Sequence, residues 1–193
     1  MSTTTAEISR TVGGVEIPAA GTYAIDPSHS EVGFSVRHLM VSKVRGRFSD
    51  VTGSVVVADD PLASSVEVAI GTASIDTRDE KRDAHLRSSD FFHVERYPTM
   101  TYRSTKVVPA GPGRWLVEGH LTLNGVTRPV PLSVTFEGAA GDPWGGVRAG
   151  FSARGELDRE DFGLNWNQAL EAGGVVVGKK VSIEIEVEAV RQA

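Results

Sequence analysis

The sequence predicts an all-β protein, antiparallel strands closed into a single barrel, with one short helix. Three observations carry this. The first is period-two alternation. Over residues 179–190, Val181, Ile183, Ile185, Val187 and Ala189 fall on one face, and Ser182, Glu184, Glu186 and Glu188 on the other. Alternation of this kind, rich in β-branched residues, marks a strand with one buried and one wet face. The second is that the pattern recurs along most of the chain between turn signals. The third is that the period changes only once, over residues 79–88, which are charged and lack β-branched residues.

Taken in order, residues 1–20 read as a loose tail closed by Pro18-Ala19-Ala20-Gly21, and residues 21–193 as one barrel domain. A short strand from Gly21 ends at the turn signal Asp26-Pro27-Ser28. Residues 29–41 place Val32, Phe34, Val36 and His38 on one face. Residues 44–58 form a long strand in which Gly46 and Gly53 suggest bulges. Residues 65–75 follow, with Val66, Val68 and Ile70 inward. The charged segment then reads as a helix capped by Asp76 or Thr77. Strands are expected over 99–108, 115–124, 127–137 and 147–157, with Asn124-Gly125 as a tight hairpin turn. A long excursion over 158–178 precedes the last strand. Closure removes the edges an open sheet would leave, and a barrel of about eight strands is either filled by its own side chains or holds one small ligand.

Composition narrows the function. The net charge of −5 disfavours a general grip on nucleic acid or on an anionic membrane, while leaving room for a local basic patch, and the absence of cysteine excludes disulfides and thiol chemistry. The N-terminal residues lack the basic and apolar regions of a signal peptide, and no apolar run is long enough for a membrane helix, so a cytoplasmic protein without an integral membrane segment is expected. The stretch from Gly173 to Lys180 nearly matches a phosphate-binding loop, but Lys180 replaces the required hydroxyl and a strand follows where a helix is needed. No histidine pair has the spacing that puts two metal ligands on one helical face, and no serine-nucleophile motif is intact. No catalytic residue, metal site or cofactor is therefore expected. Arg45, Arg47, Arg148 and Arg154 read either as solvated surface charge or, for any near the barrel mouth, as a contact to an anionic head group. His38 reads either as a buried, hydrogen-bonded histidine or as a contact to a ligand's polar end. Phe91 and Phe92 after the helix, with Phe162, Leu164, Trp166 and Leu170 in the excursion, either plug the core or wall a long apolar cavity.

Several ordered segments resemble one family. They are Tyr23-Ala24-Ile25-Asp26, the run from Val32 to His38, Gly46-Arg47-Phe48, Ser74-Ile75-Asp76-Thr77, and Arg82-Asp83-Ala84-His85-Leu86. Ser89-Asp90-Phe91-Phe92, Tyr97-Pro98, the run from Gly119 to Arg128, and Arg159-Glu160-Asp161-Phe162-Gly163 continue the series. In order and spacing these resemble the YceI-like family, the lipocalin-like polyisoprenoid-binding barrels. The resemblance implies an extended eight-stranded lipocalin-like barrel with the helix near one end, an elongated hydrophobic tunnel, a bound long-chain isoprenoid or similar amphiphile, and no established reaction. Many relatives are exported to the periplasm, and the lack of a signal peptide here speaks against that role.

The leading expectation is a non-enzymatic carrier or store for an isoprenoid, quinone or fatty chain. Phe34, Val36, Met100, Tyr102, Trp115, Leu121, Phe136 and Phe151 would line the tunnel. Phe91, Phe92, Leu164 and Trp166 would close it, and His38 would meet the polar end. Burying a methylene gains roughly 0.8 kcal/mol and association costs ~4–15 kcal/mol, so only a long tail binds well. The alternatives are a solid barrel acting through its surface and, third, a lipid-modifying enzyme. The same apolar faces would equally serve a homodimer.

Overall fold

The computed structural model describes residues 8–171 and 173–193. Residues 1–7 of the expected tail lie outside the described residues. The rest of that segment is not loose. It forms a hairpin of β1 (Ser9–Val12) and β2 (Val15–Pro18), in register from Ser9 opposite Pro18 to Val12 opposite Val15. Ile17 and Ala19 are buried, which ties the hairpin down.

The barrel strands follow. They are β3 (Gly21–Ile25), β4 (Glu31–His38), β5 (Ser42–Phe48), β6 (Val51–Val57), β7 (Ser65–Gly71) and β8 (Ile75–Asp76). The helix α1 (Glu80–Arg87) separates these from β9 (Thr99–Pro109), β10 (Arg114–Leu123), β11 (Val126–Pro129), β12 (Leu132–Gly141), β13 (Val147–Asp158) and β14 (Val177–Arg191). The closed ring runs β13-β12-β10-β9-β7-β6-β3-β14, and β14 pairs back onto β13 from Arg148–Val190 to Asp158–Lys180. This is an eight-stranded antiparallel barrel. The longest strand, β14, also carries β4 along the edge it offers to β3. The β4–β5 hairpin thereby extends the wall beyond the ring, and β5 meets β8 only at Arg47–Asp76 and Phe48–Ile75.

Local chemistry explains where the elements break. The single long strand expected over 44–58 divides at Ser49-Asp50, where both backbone N–H groups donate to the Ser74 hydroxyl, and not at the glycines. Gly46 instead leaves room for a ring. A Cβ there would meet Phe34 at 2.4 Å. The strand expected over 127–137 breaks at Val130-Pro131, since proline has no N–H for the ladder. The break faces the bulge at Glu118/Gly119, and the Val130 N–H donates to the Gly119 carbonyl at 2.9 Å. Asn124 and Gly125 both have positive φ, 52° and 75°, as the tight hairpin turn requires.

The helix cap is Asp79, not Asp76 or Thr77. Its side chain accepts from the Arg82 N–H at 3.0 Å. Thr77 and Asp76 act just upstream. The Thr77 N–H donates to the buried Asp83 carboxylate at 3.0 Å, and Asp76 accepts from the Arg78 N–H at 2.8 Å. Arg82 donates to the Thr77 hydroxyl and carbonyl, both at 2.7 Å. Arg87 reaches the Ala73 and Ile75 carbonyls at 2.9 and 2.8 Å. A helix with almost no apolar face is thus fastened by polar side chains, and this accounts for the Arg82-Asp83 pair in the sequence.

The two barrel ends differ. At the helix end lie α1, the β4–β5 turn, the Asn124-Gly125 turn and the excursion after β13. The excursion opens with a 3-10 turn, Arg159–Phe162, in which Phe162 is buried, and it leads into β14 through an Asn167 side chain bonded to both Val177 backbone groups. The stretch from Gly173 is therefore a turn into a strand, as expected. At the other end, the β1–β2 hairpin covers a compact cluster of Tyr23, Val57, Val147, Ala149 and Ala189.

Candidate functional site: an apolar cavity along the barrel

A cavity of about 310 Å³ runs inside the barrel from Ile17 and Pro18 near the hairpin end to Leu164 and Val177 near the helix end. That volume sits at the lower edge of small-molecule pockets, roughly 300–1,000 Å³. The wall is almost wholly apolar. Its inward residues show the consequence. Phe34, Trp115, Phe136 and Phe151 belong to the inner face and yet are only half-buried, because one side of each ring borders the cavity. In a filled barrel the same positions would be closed off from solvent.

Of the residues expected to contact a ligand, Phe34, Val36, Phe91, Phe92, Met100, Tyr102, Trp115, Leu121, Phe136, Phe151 and Leu164 all line this cavity. His38 and Trp166 do not. His38 sits at the last position of β4, opposite Ser42 and Val177, at the rim of the helix end. Trp166 stands behind Phe91, with ring centroids 5.4 Å apart, and meets His85 edge-on at 4.7 Å. His85 in turn lies 2.8 Å from the Asp90 carboxylate through Nε2. Phe92 packs edge-on against Phe48 at 5.5 Å. The segment after α1 thus supplies both wall and backing at this end.

The few polar groups of the wall are turned away from it. The Tyr102 hydroxyl lies 3.2 and 3.1 Å from the Val117 and Val130 carbonyls, and burial pushes its pKa up to about 12. Gly119 makes this possible, since a Cβ there would stand 2.4 Å from that hydroxyl. Arg159 is buried, and its guanidinium donates to the carbonyls of Gly178 at 2.8 Å and of Leu164. Desolvation lowers its pKa. Its aliphatic stem serves the cavity while its charge secures the excursion.

The wall also takes residues outside the expected ligand contacts. Val32, Val66, Val68, Ile183, Ile185 and Val187 line the cavity beside the aromatics. Strand parity carried that signal already. Ile17 and Pro18 had no such signal, because the hairpin that presents them was read as tail. Arg148 also departs from expectation. It is not a solvated charge but the centre of an ion cluster, 2.8 Å from Asp26, 3.4 Å from Asp142 and in contact with Glu188. The Ser28 hydroxyl, Arg148 and His29 together hold the Asp26 carboxyl well below the usual range. Asp26, His29 and Glu188 bring three donor atoms within 4.8 Å of one another, and the Arg148 guanidinium supplies the countercharge.

The model of the YceI-like domain matches residues 23–189. The chain belongs to the YceI-like family. A UPF0312 protein of Vibrio cholerae is 40% identical over 178 residues, covering 90% of this chain and 89% of its own. One from Photorhabdus laumondii is 44% identical over 146 residues, 74% and 76% of the two chains. Among solved structures, the Campylobacter jejuni YceI protein superposes with a TM-score of 0.69 at 29% identity, covering 81% of this chain and 90% of its own. A polyisoprenoid binding domain from Saccharophagus degradans has a TM-score of 0.67 at 15% identity, covering 90% and 100%. The second shares the YceI-like fold. Among the described residues no helix is long and apolar enough to cross a membrane.

Proposed function

We propose that this YceI-like barrel binds a long-chain isoprenoid, an isoprenoid quinone or a similar amphiphile lengthwise in its cavity, for storage, transport or sequestration, and that it acts as a binding protein and not as an enzyme. The observation that carries the reading is the continuous apolar cavity, bordered by half-buried aromatic and β-branched side chains. Apolar contact is non-directional, so such a wall selects for chain character and length more than for chemical detail. Each methylene taken from water contributes roughly 0.8 kcal/mol, which makes a multi-isoprene chain the economical occupant. The Saccharophagus degradans domain of the same fold is described as polyisoprenoid binding, which is consistent with a barrel of this shape accepting such a chain. Phe34, Val36, Met100, Tyr102, Trp115, Leu121, Phe136 and Phe151 would contact the tail. Phe91, Phe92 and Leu164, backed by Trp166, would close the helix end, where rim-placed His38 would meet a polar group.

The test is native mass spectrometry of the purified protein, followed by solvent extraction and identification of any lipid. A stoichiometric long-chain isoprenoid or quinone is the expected result. A protein that arrives without lipid and takes up no added polyprenyl chain would overturn the reading and favour a role for the outer surface.

A further inference from the structure

The β4–β5 turn presents three consecutive apolar residues to solvent. Leu39, Met40 and Val41 are 39, 60 and 79% exposed. Neither packing nor turn chemistry calls for them. Leu39 and Met40 have φ of 51° and 61°, the left-handed region that favours glycine or asparagine, and two backbone hydrogen bonds hold them there. A polar or glycine turn would cost less in both backbone strain and solvation.

Immediately behind the tip stand three cations. Arg37 lies directly opposite Lys43, and Arg45 follows two residues along β5 on the same face. Like charges placed opposite each other on a sheet are destabilising. Among the described residues none of the three takes part in an ion pair, whereas Arg47, the next along, is paired with Glu31 and Asp76. Lys43 and Arg45 do blunt the free edge of β5, as edge-strand cations often do. Edge protection does not account for Arg37 on β4, nor for three exposed apolar residues at the tip. All this occurs on a chain whose net charge is −5.

An apolar tip backed by unpaired cations fits the interface of an anionic bilayer. Apolar side chains enter the boundary between head groups and acyl chains, and Lys or Arg meets the phosphates. We propose that the β4–β5 hairpin is a membrane-docking element that seats the helix end of the barrel on an anionic lipid surface. The opposite end also exposes large apolar residues, Trp144 at 83% and Leu62 at 45%. There they sit among carboxylates, since Asp142 accepts from the Trp144 N–H and Asp60 from the Leu62 N–H. The β4–β5 tip is instead flanked by the cations Arg37 and Lys43. The proposal stands on surface residues alone and is independent of what the cavity holds.

The experiment is flotation of the full chain with vesicles of phosphatidylglycerol and phosphatidylcholine, against phosphatidylcholine alone, at low and high salt. The expected result is partition onto the anionic vesicles that weakens with salt. Lys43→Gln with Arg45→Gln should lower partition by about fivefold per cation removed. Met40→Ser with Val41→Ser should lower it by roughly tenfold or more. Because these side chains are exposed, the variants should retain the wild-type circular dichroism spectrum and unfold at a midpoint no lower than that of the wild type. Trp144→Ser should float like the wild type. No partition of the wild type, equal partition onto neutral vesicles, unchanged binding by the tip variants, or loss of binding in Trp144→Ser would each overturn the proposal. So would a dimer in sedimentation that the tip substitutions dissolve while vesicles capture nothing, which would make the tip a contact between copies.

Discussion

Two regions of one barrel interior are built on the same strands and come out differently. On β13, Ala149 and Phe151 are two residues apart on the same face. Ala149 is fully buried and does not border the cavity, whereas Phe151 is half-buried and lines it. On β14 the same contrast separates Ala189 from Val187. At the hairpin end, small alanines let Tyr23 fill the middle, and its hydroxyl donates to the Ala19 carbonyl at 2.8 Å. In the mid-barrel, aromatic and β-branched residues leave an apolar cavity among them. An inward-facing apolar residue can therefore be either filler or lining. What decides is the size of the residues across from it and whether something caps that end of the barrel.

The sharpest test of the contrast is Tyr23→Ala. Removing a fully buried aromatic from the packed end should cost about 3–5 kcal/mol in urea unfolding, the usual range for such truncations. A cost below about 1 kcal/mol would mean that this end is not tightly packed. Next in size is a matched pair of enlargements. Ala149→Leu should destabilise by about 1–3 kcal/mol, as overpacking does, while Val68→Phe in the lined region should cost under about 1 kcal/mol because its added atoms enter the cavity. Val68→Phe should also reduce uptake of a polyprenyl lipid. Equal costs at the two sites would erase the distinction between filler and lining.

The smallest effect concerns the ion cluster on the outer wall. Asp26 has a folded pKa depressed below its ordinary 3.8, so its contribution is fully present above that value and is lost as pH falls through the lower folded value. The stability gap between wild type and Asp26→Asn should accordingly be greatest near neutral pH and shrink in acid below 3.8. A gap that stayed constant down to strong acid would show that Asp26 acts through packing and not through charge.

Most of the architecture was legible in the sequence, because alternation reports directly on which face of a strand is buried. Val181 to Ala189, the Asn124-Gly125 turn and the single charged helix each kept the form their patterns implied. The lining was legible for the same reason. Three kinds of feature were not. The β1–β2 hairpin is short, and the residues buried at its end, Ile17, Pro18 and the following Ala19, are consecutive and make no period. Arg148 reads as a surface charge because its partners Asp26, Asp142 and Glu188 are brought to it only by the closing of the ring. His38 and Trp166 share the apolar neighbourhood but fall where the strand ends or the chain turns irregular, and parity loses its meaning there.

The placement of β14 has a consequence for how the molecule is made. This strand is the seam of the ring, bonded to β13 on one side and to β3 and β4 on the other. A latch of the Ser30 hydroxyl on the Glu188 carbonyl, at 3.2 Å, joins residues 158 positions apart. During synthesis the ring stays open until residues 177–191 have left the ribosome, however early the other strands pair. Until then the future cavity wall is an exposed apolar trough with two free edges, the state in which nascent β-proteins are most prone to aggregate. The interval before the seam closes is also when the trough is most accessible, so a chaperone or a hydrophobic chain present at that moment meets the interior without passing through either end.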